Sequence, residues 1–359
     1  MVFAGGGTGG HLFPALVVAN ALQQRYPDAQ LSFVGAERGI EQRLVPEAGY
    51  PLFTLRIAGL KGRGAIAKLR SALAAGWAVF RCLARFLRRR PSLVVGVGGY
   101  ASGPAMLAAI LLRVPTMILE QNHFPGATNR FLAKRVRAVC VPSDDARRRF
   151  GGIGTVTGNP VRPEFFETGD APAGATPQLL VFGGSRGAHT INMAMLAAID
   201  ALAALPVPPA IVHQTGEADF EAVRDSADRY SNYQVFKFLD DMPARLAAAD
   251  LVVCRAGAST LSELTAAGRP AILVPYPYAA DDHQRHNAES LEKIGAARVV
   301  TDAELTGDRL VGVLGELFDD RDRLTVMGQA ARQLALPDAT ERIVRVAEKL
   351  LGLEVRDVS

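Results

Sequence analysis

Short, wholly apolar runs alternate with helix-length stretches along this chain, and the series occurs twice. The first takes in Val2–Ala4, Leu31–Val34, Leu93–Val97, Thr116–Leu119 and Ala138–Val141. The second takes in Leu179–Phe182, Ala210–Gln214, Tyr233–Lys237, Leu251–Cys254 and Ala271–Val274. Runs with no polar alternation suit parallel strands covered on both faces. Helical patterns at Phe13–Arg25, Asn192–Ala204 and Ser259–Ala267 lie between them. Strand and helix in turn predict an α/β chain of doubly wound parallel sheets.

At 359 residues the chain is too long for one ordinary core, since domains usually run about 100–200 residues. Pro160 and Pro163 mark a hinge between the two series. The sequence therefore divides into domains at 1–158 and 164–338, joined by 159–163, with a last helix over about 339–359. Each half opens as strand, glycines and helix: Phe3 to Gly10 in one, Val181 to Ala188 in the other.

A content of 49% hydrophobic and 21% charged residues excludes a disordered chain. The opening MVFAGGGTGG has neither the basic nor the apolar region of a signal peptide. The longest apolar stretch, Pro104–Leu112, stops at Arg113 and Pro115, short of the roughly 20 residues of a membrane span. Cys82, Cys140 and Cys254 are far apart and fit neither a zinc site nor a disulfide framework, which suits a reducing cytoplasm.

The net charge of +4 conceals a division. Residues 1–150 carry 21 Lys and Arg against 7 Asp and Glu, whereas 151–359 carry 19 against 29. The first half should therefore meet an anionic partner. Its positive charge concentrates between Leu60 and Arg90, where Lys61, Arg63, Lys68, Arg70, Arg81, Arg85 and Arg88–Arg90 interleave with Leu69, Leu73, Trp77, Phe80, Leu83, Phe86 and Leu87. A basic amphipathic helix carrying Trp and Phe suits an anionic bilayer surface. No nucleic-acid motif accompanies the charge, so nucleic acid is not the expected partner.

Glycine turns between strand and helix aim backbone N–H groups, and the positive end of a helix dipole, at phosphate. Gly5–Gly10 matches G-x-G-x-x-G, but Glu37 falls late for the ribose contact of a dinucleotide site. His11 follows at the helix start, where a neutral imidazole could take a proton from an attacking hydroxyl. Gly96–Pro104 and Glu120-Gln121-Asn122 follow further strands of the same half. In the second half, Ser259 or Thr260 with Glu263 fits either a capping box or a phosphate at the helix start with a sugar diol on the carboxylate. Asp281-Asp282-His283-Gln284 and Asn287 form a polar cluster, but adjacent residues rarely chelate one ion, and no metal is expected.

Gly5–His11, Gly96–Tyr100, Glu120–Asn122, Gly158–Arg162, Gly183–Ser185, Arg255–Glu263 and Asp281–Gln284 occur in order over nearly the whole chain. Together they resemble the MurG family of peptidoglycan N-acetylglucosaminyltransferases. The resemblance implies the GT-B fold, two Rossmann-like domains facing a cleft, with the last helix crossing back to the first. It also implies inverting transfer of GlcNAc from UDP-GlcNAc to the 4-hydroxyl of MurNAc in undecaprenyl-pyrophosphoryl-MurNAc-pentapeptide, without a cofactor. By match to the family, the donor contacts among the substrate-binding residues are Thr8, Gly9, Gly10, Asn122, Arg162, Ser185, Leu239, Ala258, Ser259, Thr260, Leu261, Ser262, Glu263 and Gln284. Glu263 would hold the ribose, Gln284 the sugar hydroxyls and Ser185 the diphosphate, with His11 as the base. The implied setting is the cytoplasmic face of the inner membrane, beside lipid I and proteins of cell-wall synthesis and division.

The sequence departs from the family pattern at Leu119, where a His often precedes Glu-Gln-Asn, and at His123-Phe124, where a small apolar pair is usual. The first strand is also short. Two other readings are separable: a UDP-GlcNAc epimerase, which needs no lipid acceptor, and a non-catalytic nucleotide-responsive surface module, which would release no UDP.

Overall fold

In the computed structural model the chain forms two compact units, Met1–Pro160 with the segment from Asp338, and Val161–Pro337. The structure describes residues 1–57, 65–169, 174, 176–279 and 282–353, with side chains of the helix Ala65–Arg88 described from Ala72 onward. Lys61, Arg63 and Asp281, and the side chains of Lys68, Leu69 and Arg70, lie outside the described residues.

The first unit holds a seven-stranded parallel sheet. Its strands are β1 (Val2–Gly5), β2 (Ser32–Ala36), β3 (Leu52–Leu55), β4 (Val94–Gly98), β5 (Thr116–Leu119), β6 (Ala138–Val141) and β7 (Thr155–Val156), ordered β3-β2-β1-β4-β5-β6-β7. The second unit holds six: β8 (Gln178–Phe182), β9 (Ala210–Gln214), β10 (Tyr233–Phe236), β11 (Leu251–Cys254), β12 (Ala271–Leu273) and β13 (Ala297–Val299), ordered β10-β9-β8-β11-β12-β13. The winding direction reverses between β1 and β4 and between β8 and β11. Ligands of open α/β sheets bind beyond the carboxyl ends of the strands at such reversals.

Both faces of each sheet are covered, as the continuous apolar runs require. In the first unit, Leu12, Val18 and Leu22 cover one face together with Ile343, Val344 and Ala347 of the helix Ala339–Leu351. Ala78, Cys82 and Phe86, with Ala105, Met106 and Ala109, cover the other. The last helix is pinned by Glu348, fully buried, which accepts from Arg25 Nη1 at 3.0 Å and Tyr26 Oη at 2.8 Å. All three cysteines are free and buried.

Three strands have no counterpart among the apolar runs: β3, β7 and β13. Each is a sheet edge, so each has one neighbouring strand and is only partly buried. Such a strand needs no continuous apolar run. Two helices begin earlier than their apolar periodicity, at Gly9 and His189, because glycine and polar first turns carry no periodic signal.

Candidate active site

In the first unit the candidate residues gather at the carboxyl ends of β1, β4 and β5. The Thr8 carbonyl accepts from the N–H groups of His11 and Leu12 and so opens the helix Gly9–Arg25. His11, the third residue of that helix, is half-buried. Its Nδ1 lies 3.0 Å from Oε1 of Gln121, whose own Nε2 donates to the Leu119 carbonyl at 2.9 Å. A Cβ on Gly98 would come within 2.9 Å of the His11 ring, and one on Gly99 within 2.3 Å of the Gly6 carbonyl. Only glycines there let the two turns touch and the imidazole come this close to Gly98.

Glu120 organises the next loop. Its buried carboxylate accepts from the backbone and side-chain nitrogens of Asn122, from Gly126 N–H and from Asn129 Nδ2. Asn122 is held by its amide nitrogen and stays half-buried at the strand end. His123 Nδ1 pairs with Ser143 Oγ at 2.8 Å, and burial lowers the pKa of its ring. The Arg149 guanidinium covers Phe124.

Two contacts weaken the dinucleotide option further. Glu37, which already falls late for the ribose contact, is paired with Arg56. The N–H of Gly7, at the centre of the turn, donates to Glu41 Oε2 at 2.8 Å.

In the second unit the turn Gly183–Ala188 leads into the helix His189–Ala203, and no side chain caps that helix. Ser185 stands half-buried in the turn. Gln214 ties this turn to the next strand end: Nε2 donates to the Gly184 carbonyl and Oε1 accepts from Leu239 N–H, both at 2.9 Å. The helix Ala258–Ala267 begins after Gly257 and likewise has no side-chain cap. The capping box open to Ser259 or Thr260 with Glu263 is therefore not formed. Ser262 turns its hydroxyl back to the Ala258 carbonyl, while Ala258 and Leu261 are buried. Burial pushes the Glu263 carboxyl up to about 7, with the Arg162 charge opposing the rise. Gln284 Oε1 accepts from Tyr276 N–H at 3.0 Å, so its amide nitrogen is the end that can donate to a ligand. Arg255 is structural, joined to Asp302 and to the Val274 and Pro275 carbonyls.

Thr8, Gly9, Gly10, His11 and Asn122 thus belong to the first unit and the other candidates to the second. Sequence reasoning gave no role to Glu41 or Gln214 and placed Gln121 only within a polar motif, yet all three hold the candidates in place. The one available signal was a glutamate at position 41 on the otherwise apolar face of Ile40, Leu44 and Val45.

Models of the glycosyltransferase family 28 N-terminal and C-terminal domains match residues 1–141 and 178–343. A UDP-N-acetylglucosamine–N-acetylmuramyl-(pentapeptide) pyrophosphoryl-undecaprenol N-acetylglucosamine transferase from Syntrophotalea carbinolica is 46% identical over 355 residues, covering 98% of this chain and 99% of that protein. The chain belongs to glycosyltransferase family 28. The crystal structure of Acinetobacter baumannii MurG is 35% identical, with a TM-score of 0.77 over 97% of this chain and 98% of that one. A UDP-GlcNAc 2-epimerase from Neisseria meningitidis bound to UDP-GlcNAc has a TM-score of 0.67 over 97% of this chain and 98% of that one, at 13% identity, a likeness of fold alone. The two parallel α/β units are those of a GT-B glycosyltransferase, as expected.

Proposed function

We propose that His11 on the first unit deprotonates the acceptor hydroxyl, while the second unit holds the donor through Ser185, Leu239, the start of the helix Ala258–Ala267, Glu263 and Gln284. The chain transfers GlcNAc from UDP-GlcNAc to the 4-hydroxyl of MurNAc in undecaprenyl-pyrophosphoryl-MurNAc-pentapeptide, the conversion of lipid I to lipid II. Identity of 46% over nearly the whole chain supports this activity, and the epimerase alternative is set aside.

The observation that carries the choice of base is the contact between His11 and Gln121. The Gln121 amide oxygen is turned to His11, so Nδ1 carries the hydrogen and Nε2 holds the lone pair. Nε2 accepts the 4-hydroxyl proton as that oxygen attacks the anomeric carbon from the face opposite UDP. The carbon–oxygen bond to the diphosphate breaks and UDP departs with the electron pair. The uncapped helix starts at His189 and Ala258 supply N–H groups to the charge that develops on it.

The helix Ala65–Arg88 supports membrane docking. Ala78, Cys82 and Phe86 face the core, while Leu73, Trp77, Phe80 and Leu87 are exposed, with Trp77 stacked on Phe80 at 5.2 Å. Arg88, Arg89 and Arg90 follow on the surface. Among the described residues no helix is long and apolar enough to cross a membrane. A surface that wets lipid without spanning it supports a peripheral position on the cytoplasmic face, where the acceptor's headgroup lies.

The test is UDP release from UDP-GlcNAc with and without a short-chain lipid I analogue, in the presence of a chelator. Release should require the analogue and survive chelation. Release without acceptor, or an epimer formed from UDP-GlcNAc alone, would refute the reading.

A further inference from the structure

The turn after β1 has the sequence of a phosphate-binding loop, yet its cradle is already filled. Glu41, on the short helix Glu41–Glu47, is fully buried. Its Oε2 accepts from Gly7 N–H at 2.8 Å, and its Oε1 accepts from Ala36 N–H at 2.9 Å. A Cβ on Gly6, Gly35 or Gly39 would come within 2.7, 2.7 or 2.2 Å of a Glu41 side-chain atom. Three glycines therefore make room for one carboxylate. Burying a carboxylate is unfavourable unless hydrogen bonds compensate it, and a leucine or methionine would fill the volume more simply. What an apolar side chain cannot do is satisfy backbone N–H groups that converge on one point.

We propose that Glu41 is a built-in anion standing where a phosphate would otherwise bind, and that it makes the first glycine turn a rigid mount for His11. The link is short. Gly7, held by Glu41, directly precedes Thr8, whose carbonyl receives the His11 and Leu12 N–H groups. The imidazole then rests on Gly98 and reaches Gln121. Glu41 touches no reacting atom, so it is a positioning residue. Phosphate of either substrate is excluded from the Gly7 amide. The catalytic part of this inference rests on His11 being the base; the mounting part does not.

The test compares Glu41→Gln and Glu41→Asp with the parent and with His11→Ala. Thermal unfolding, kcat and KM for UDP-GlcNAc with a lipid I analogue, and the His11 ring resonances in isotopically labelled protein are read together. Glu41→Gln keeps the volume and loses the charge. It should lower kcat about 10–100-fold, the scale of a small misplacement, leave KM for UDP-GlcNAc within about twofold, and displace the His11 resonances. Glu41→Asp keeps the charge and should retain more of kcat than Glu41→Gln. Parental kcat with unmoved His11 resonances in Glu41→Gln would overturn the proposal, as would the reverse order of the two variants. If Glu41→Gln does not fold, Glu41→Asp, whose shorter side chain draws the carboxylate back from the Gly7 and Ala36 N–H groups, decides: displaced His11 resonances with a lowered kcat support the mount, and unmoved resonances with parental kcat contradict it. Should His11→Ala retain parental kcat, the reading of the base fails alone, and displaced His11 resonances in Glu41→Gln would still uphold the mount.

Discussion

Gln121 fixes the tautomer of His11: its Oε1 lies 3.0 Å from Nδ1 while its Nε2 is committed to the Leu119 carbonyl. Gln121 is itself buried, and its own carbonyl accepts from Asn159 Nδ2 at 2.9 Å. Replacing it with methionine removes the acceptor and frees the ring to adopt the other tautomer. We expect Gln121→Met to lower kcat about 10–100-fold, as loss of an orienting partner commonly does. Isothermal titration should find donor affinity changed far less than kcat, since the Gln121 side chain is committed to His11 and to the Leu119 carbonyl.

As the proposed ribose ligand, Glu263 should give donor binding a pH dependence. Burial holds its carboxyl up to about 7, and an ionised carboxylate is the better acceptor for the ribose hydroxyls. UDP-GlcNAc affinity should fall as pH is lowered through 7, by up to about tenfold per unit well below it. Titrations from about pH 5.5 to 8.5 should lose that slope in Glu263→Gln and bind more weakly at the alkaline end.

His213 links stability to acid. It is fully buried between Tyr233 Oη at 2.8 Å and Asn192 Oδ1 at 3.0 Å, and burial lowers its pKa to about 3. The unfolded chain takes up this proton near pH 6.5, the folded one only near 3. In that window the unfolded state binds more protons, so this residue alone should lower stability by about 1.4 kcal/mol per pH unit on acidification. Urea unfolding of the parent and of His213→Gln should differ in slope by about that amount between about pH 4 and 5.5, and by progressively less toward pH 7.

Arg25 compensates a buried charge. Glu348 has no exposed side chain and receives Arg25 at 3.0 Å, while Glu341 takes the other guanidinium nitrogen. Arg25→Ala strands Glu348, which typically destabilises by about 3–5 kcal/mol. Chemical unfolding should register a loss of that size, and replacing both Arg25 and Glu348 with apolar residues should recover much of it.

The central strands were legible because parallel strands covered on both faces must be apolar throughout, as Val94 to Val97 and Leu251 to Cys254 are. Three of the four edges were not: Leu52–Leu55, Thr155–Val156 and Ala297–Val299 have one neighbour each and need no such run, whereas the edge Tyr233–Phe236 lies within the run Tyr233–Lys237. His11 and Glu263 stand out as candidates because each sits in a motif between a strand and a helix. The residues that hold the site were harder: Glu41 serves backbone N–H groups brought together only by folding, and Gln214 sits at a strand end where a polar residue is unremarked. The capping-box option at Ser259 or Thr260 failed because the helix is already under way there: Gly257, two residues before Ser259, takes the cap position and has no side chain to offer.

Catalysis through His11 as the base is open to one direct comparison. The turnover of His11→Ala with UDP-GlcNAc and a lipid I analogue is measured beside its equilibrium affinity for UDP-GlcNAc. A base in this position predicts a kcat lower by about 10²–10⁴-fold, the usual contribution of such a group, with donor affinity unchanged. Parental kcat in a folded His11→Ala enzyme would contradict it.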